Sequence, residues 1–253
     1  MHIGDIPRGR AAVTASSTID ARSRAPLGHN LTLGLVDVLG LAIVAGEFPR
    51  GVLPTEPELE RRFAVSRSVV REAVKMLAAK GLVVTRPRQG TVIEPRQTWN
   101  LFDPLLLRWM VEGAPRPELL RQLCEFSMSI EPAAAALAAV RGSSKDHTEL
   151  ASACDRLSAP DLHPSTRAGA AIALHEAIVI ASGNAFYLAL SGAVGAAHRV
   201  LARHGRSVQP AGVIQRYRAV VRAIEMRAPE RARHEMAALL ELVFEPIARP
   251  AAA

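Results

Sequence analysis

Residues 53–93, LPTEPELERRFAVSRSVVREAVKMLAAKGLVVTRPRQGTVI, decide the fold. Thr55 followed by Glu58 is the capping box that opens a helix. Pro57 falls in the first turn, where its missing N–H would have no intrahelical partner anyway. Leu59 and Phe63 face inward at helical spacing. Ala64 and Val65 make a turn, and Ser66 caps a second helix. There Val70, Ala73, Val74 and Leu77 form the i, i+3, i+4, i+7 stripe. Arg67, Ser68, Arg71 and Lys75 are left on the other side. Gly81 is placed to end the helix as a C′ glycine. Val83–Thr85 and Thr91–Ile93 read as short strands around the loop Arg86-Pro87-Arg88-Gln89-Gly90. Helix, turn, basic helix and a hairpin with a basic loop make a winged helix-turn-helix. A helix with arginines on one face is by itself usually a solvated surface. The full order of elements is what turns two guanidinium groups, one turn apart, into a reader of duplex DNA.

Composition agrees. The chain has 253 residues, a length that suggests two domains. It carries a formal net charge of +7 and a pI near 10.4, which suits a polyanionic partner. Residues 31–98 hold ten Lys+Arg against seven Asp+Glu, and residues 99–253 hold 17 against 15, so basic density lies toward the N-terminal third. Residues 1–30, rich in Arg, Ala, Ser, Thr and Gly, show no periodicity and read as a tail. Cys124 and Cys154 make neither a disulfide framework nor a zinc motif. Cys124 sits in an apolar helical pattern as a small buried hydrophobe. No signal-peptide core or apolar run of spanning length stands out, which predicts a cytoplasmic protein with no membrane partner.

The motifs LP-T-E-x-EL, VSR-x-x-VREA and GL-V-x-x-RP-x-x-GT resemble the N-terminal domain of GntR-type bacterial transcription regulators. The continuation WNLFDPLLLRW (Trp99 to Trp109) resembles the linker of the FadR-like subgroup, whose C-terminal half is an all-helical ligand-binding (FCD) domain. Within that subgroup it is most similar to regulators of sugar-acid catabolism. IEPAAAALAA and LHEAIVIASGN fit as well, so the resemblance covers about residues 31–247. It implies that Arg67 and Arg71 read bases or backbone in the major groove. It implies phosphate contacts from Ser66, Ser68 and Thr55. Arg88, Gln89 and Gly90 become the wing tip, where Gly90 lets backbone approach the minor groove. Pro57 departs from the family, which often has a DNA-contacting arginine there, so the preferred operator should differ.

After residue 94 no useful strand alternation occurs. Long helical patterns run over 117–140 (with Pro132 as an interruption), 166–182, 185–204, 210–227 and 229–247. Few aromatics and abundant alanine fit close-packed helices. The fold class is therefore mostly α, a winged helix-turn-helix followed by an all-α helical-bundle effector domain. The expected division is a tail at 1–30, a DNA-binding domain at 31–98, a linker at 99–116 and an effector-binding and dimerisation domain at 117–248.

Many members of the resembled subgroup bind a divalent metal with one Asp and three His. Two ligands sit at i and i+4 in a D-x-x-F-H pattern, and the others come from the last two helices. Here the corresponding positions hold Ala171, His175, Tyr217 and Leu239. One histidine does not hold a metal alone. His234, five residues before Leu239, is rotated by about 140° from that face. His198, on another helix, stays open. No metal or other cofactor is expected. His175 is then either a buried histidine satisfied by a neighbour or a hydrogen-bond donor to an organic effector, with Tyr217 opposite. Ser127 stands where many members carry an effector-facing arginine, a residue suited to gripping a carboxylate. Without it, Arg121 and Arg222 are the remaining candidates, or the ligand is neutral or more apolar.

No nucleophile elbow, P-loop or dinucleotide glycine fingerprint occurs, so an enzyme is not expected. The reading is a transcription regulator, a repressor of a catabolic operon, binding a pseudo-palindromic double-stranded operator as a homodimer and answering to a small organic effector such as a sugar acid. The alternative is a DNA-binding regulator whose pocket has degenerated and which acts without a ligand.

Overall fold

The computed structural model describes residues 30–113, 117–204 and 212–248. The expected tail, apart from Asn30, lies outside these residues. The chain divides into two compact units, with the division falling between Asn100 and Leu101.

The first unit opens with α1 (Leu31–Ala45), which the motif reading had not drawn. Its N-cap Asn30 accepts a hydrogen bond from the Leu33 amide, and Gly46 closes it in the left-handed conformation. Leu35, Val36 and Leu39 are fully buried, and α1 packs on α3. Helices α2 (Glu56–Phe63) and α3 (Arg67–Ala79) are the helix-turn-helix pair, with Ala64 taking the left-handed turn between them. Leu59 and Phe63 are buried as expected, and so is the stripe Val70, Ala73, Val74 and Leu77. Strands β1 (Val83–Arg86) and β2 (Gly90–Ile93) pair antiparallel with Val83 opposite Ile93 and Arg86 opposite Gly90. Gly81 is required twice over. Its φ is +74°, and a Cβ there would stand 2.1 Å from the carbonyl oxygen of Thr98.

The segment expected as a linker over 99–116 is divided between the units. Trp99 is buried in the first unit and donates its indole N–H to the carbonyl of Glu94. Beyond the boundary comes α4 (Pro104–Glu112), a helix of the second unit. Asp103 accepts from the amides of Leu105 and Leu106, and Pro104 stands in the first turn, so residues that look like a break in fact start a helix. Leu106, Leu107, Trp109, Met110 and Val111 are buried.

The rest of the second unit is α5 (Pro117–Arg141), α6 (Ser144–Leu157), α7 (Pro164–Ala181), α8 (Ala185–His204), α9 (Val213–Glu225) and α10 (Pro229–Ala248). Helix α5 runs through Pro132 without a break and packs on α7, α8, α9 and α10. Helix α6, whose N-terminus is a capping box of Ser143 and Asp146, is an addition to the sequence reading, although Leu150, Ala153, Cys154 and Leu157 bury the same i, i+3, i+4, i+7 stripe as α3. The chain is thus mostly helical, a winged helix-turn-helix followed by a helical bundle. Two helices, Pro117–Arg141 and Ala185–Arg203, are long and apolar enough to cross a membrane by length and composition. This corrects the expectation that no such run exists. The first packs against four other helices of the bundle, and the second is buried mainly between Ala193 and Val200, while Phe186 and Leu188 are exposed.

Candidate functional site

Two places concentrate chemistry. The first is the outer face of α3. Its apolar stripe is buried under α1 and α2, which forces Arg67, Ser68, Arg71 and Lys75 outward, and all four are exposed. Arg67 and Arg71 are 71% and 59% exposed, so their guanidinium groups reach solvent. One carboxylate reaches across from the start of α2. Glu56 Oε2 stands 3.4 Å from Arg67 Nε and its Oε1 stands 3.9 Å from Arg71 Nε. Sequence reasoning missed this acid, because helix spacing does not show which side chains meet across a turn.

Ser66 caps α3 by accepting from the Val69 amide, and its hydroxyl lies 2.8 Å from that of Ser68. The amide and hydroxyl of Thr55 both donate to Glu58 at 2.8 Å. Those hydrogen bonds hold the Glu58 carboxyl below its usual range, the backbone one foremost. At the wing tip, Arg88 takes the left-handed conformation, with φ 64°, and Gly90 has φ 81°. Arg88, Gln89 and Gly90 are all exposed. Arg86, one residue from the tip, is tied to Glu94 at 3.0 Å. The structure therefore brings Thr55, Ser66, Arg67, Ser68 and Arg71 to adjoining stretches of one helix-turn-helix and sets the three wing residues on the hairpin.

The second place is buried in the helical unit. Its centre is Glu131 on α5, 1% exposed. Ser127, one turn earlier, donates its hydroxyl to Glu131 Oε1. His175 on α7 meets the other carboxylate oxygen through Nδ1. His198 on α8 meets Oε1 through Nε2 at 2.8 Å. The opposite edge of His175 carries Tyr217 of α9, with its hydroxyl 3.0 Å from Nε2. The two imidazoles stack with centroids 3.6 Å apart and planes 21° from parallel. Phe244 of α10 covers His198.

Burial by itself pushes the Glu131 carboxyl up. The charges of His175 and His198 and their hydrogen bonds outweigh it and hold the group below the usual carboxylate range. Burial and the neighbouring His175 pull the His198 imidazole down, and Glu131 offsets them only in part. The Tyr217 phenol is pushed up, by burial first and by the Glu131 charge second.

The three residues expected to face an effector are thus brought together, but each already has a partner within the protein. Arg121 and Arg222 are not in this centre. Both are exposed, and Arg121 is paired with Glu118 and Glu125 on its own helix. The family-type metal set does not fit the residues present. Ala171 offers no ligand, Leu239 is a fully buried apolar side chain, and Nε2 of His175 is engaged by Tyr217. On the other edge of the ring, however, Glu131, His175 and His198 place three potential ligand atoms within 4.8 Å of one another. Glu131 was visible in the sequence only as part of the IEP segment, and its role depends on a histidine 44 residues away and another 67 away.

Comparison with known proteins adds the following. Residues 33–93 match the family described as "Bacterial regulatory proteins, gntR family", and residues 122–242 match "FCD domain". The chain is 34% identical over 173 residues to the galactonate operon transcriptional repressor of Escherichia coli (strain K12), covering 68% of this chain and 76% of that protein. It is 26% identical over 219 residues to a probable D-xylose utilization operon transcriptional repressor of Paenarthrobacter nicotinovorans, covering 86% and 89%. A solved structure described as Lar, which controls the expression of the Listeria monocytogenes agr system, shares the fold with a TM-score of 0.60 at 17% identity over 86% of this chain and 96% of that one.

Proposed function

The chain belongs to the gntR family of bacterial regulatory proteins, with an FCD domain as its second half; it is a DNA-binding transcriptional regulator and not an enzyme, and from that premise we propose that it represses a catabolic operon under the control of a small organic effector. The observation that carries the DNA half is the outward face of α3, where Arg67 and Arg71 stand exposed above a buried apolar stripe. In this reading the two arginines enter the major groove. Thr55, Ser66 and Ser68 touch phosphates, and Arg88, Gln89 and Gly90 approach the minor groove. A single winged helix spans too few base pairs for useful specificity, so the working form is a homodimer on a pseudo-palindrome. The site of action is the cytoplasm.

The effector half rests on the likeness to the galactonate and D-xylose repressors, which favours a sugar acid or related metabolite. Ser127, His175 and Tyr217 are the residues assigned to it. A second reading has its own support. Ser127, His175 and Tyr217 are already hydrogen-bonded to protein partners, which suits a regulator that acts without a ligand. Gel shifts of the operator with sugar acids, keto acids and neutral sugars, run beside thermal unfolding, decide between them. Release of DNA and a raised melting temperature with one compound support the sensor. Silence with every compound supports the ligand-free regulator.

A further inference from the structure

We infer that Glu131, His175 and His198 form a binding site for one divalent first-row metal ion, on the Nδ1 edge of His175 and away from Tyr217. Three observations carry this. The donors come from three helices, α5, α7 and α8, and converge to within 4.8 Å. Donors bound to a single zinc-type ion at about 2.0–2.2 Å sit roughly 3–4 Å from one another, so the donors must draw closer and one ring must leave the stack to complete the site. Two imidazoles and one carboxylate are a donor set matched to zinc, nickel or iron and poorly matched to calcium or magnesium.

Charge is the second observation. Glu131 places a carboxylate in a centre whose polar side chains are at most 4% exposed. Among the described residues its ion-pair partners are the two histidines, and no Lys or Arg is recorded against it. A buried carboxylate with no Lys or Arg beside it is a suitable anionic ligand for a dication.

The surroundings are the third. When Nδ1 of His175 binds an ion, the ring carries its proton on Nε2, and that N–H donates a hydrogen bond to the Tyr217 hydroxyl oxygen 3.0 Å away. A metal-bound histidine ordinarily donates its other N–H to such a partner. Ser127 steadies the carboxylate through Oε1. Bringing both lone pairs onto one ion turns one ring out of the present stack. Tyr217 is a positioning residue here, because it lies on the opposite side of the ring from the ion. The expectation that this chain holds no metal rested on Ala171, Tyr217 and Leu239; this site uses none of the three.

The test uses full-length protein stripped with EDTA, incubated in turn with Zn²⁺, Ni²⁺ and Mn²⁺, desalted, and assayed for metal content and melting temperature. The expected result is about one zinc or nickel per chain with a raised melting temperature, retained in Tyr217→Phe and lost in His198→Gln. A wild-type protein that retains no ion, holding only a proton between its histidines and Glu131, overturns the inference. So does an ion that survives His198→Gln. Should that variant not fold, X-ray absorption of cobalt-loaded wild-type protein decides: two imidazole nitrogens support the site, and one or none refutes it. Loss of this site leaves the DNA-binding reading untouched, since operator binding is measured separately.

Discussion

The outer face of α3 and the polar centre of the helical bundle handle charge in opposite ways. On α3 the cations stand in solvent, and a single half-exposed carboxylate, Glu56, attends two arginines. In the bundle one carboxylate, Glu131, is wrapped by two imidazoles and a hydroxyl with almost no exposure. Exposed pairs are screened and exchange readily for other partners, phosphates included. Buried groups have no solvent to fall back on, so each must keep its neighbour. In the proposed reading the first arrangement lets go of its internal partner and takes up DNA. The second ties three helices together.

The comparison breaks most visibly at Glu131. Glu131→Ala leaves two imidazoles without their acceptor in the core, and stability is expected to fall by about 3–5 kcal/mol, with chemical denaturation as the measurement. Should it fall by less than about 1 kcal/mol, the buried centre is not holding the helices. On the other face, Arg67→Ala is expected to leave stability alone and weaken operator binding by about 1–3 kcal/mol, with relaxed preference at one base position. A gel-shift series with unchanged affinity removes Arg67 from the interface. Tyr217→Phe deletes one buried hydrogen bond and is expected to cost about 1 kcal/mol in thermal unfolding. The smallest effect belongs to Glu56→Gln. Folding should change by less than about 0.5 kcal/mol, because the pairs are exposed. Operator and random DNA should both bind somewhat more tightly, since a negative charge has left the docking face. Weaker binding instead would mean that Glu56 aims the arginines and does not compete for them.

The two regions also differ in how far the sequence revealed them. The helix-turn-helix is local. Thr55 with Glu58, the buried stripe of α3 and Gly81 lie within one short stretch, and each requirement can be read from neighbours in the chain. Gly81 was legible as the glycine that ends α3, while its close approach to the Thr98 carbonyl oxygen was not. Helix α4 went unread because Asp103-Pro104 resembles a break; both residues serve as a start. Helix α6 carries signals as local as those of α3, the Ser143–Asp146 capping box and the stripe Leu150, Ala153, Cys154 and Leu157, and the sequence reading passed over them. The buried centre was legible only in pieces. His175 and Tyr217 could be placed by resemblance, but the meeting of Glu131 with His175 and His198 depends on how α5, α7 and α8 pack, and no spacing along the chain encodes that.

The central claim is that the arginines of α3 dock into duplex DNA. It is tested most directly by selecting bound fragments from genomic DNA with purified protein at two salt concentrations, beside the double variant Arg67→Ala/Arg71→Ala. The account predicts a recurrent pseudo-palindromic site whose affinity falls as salt rises and which the double variant no longer enriches. Equal recovery of all sequences at both salt concentrations, or enrichment that survives the loss of both arginines, would contradict it.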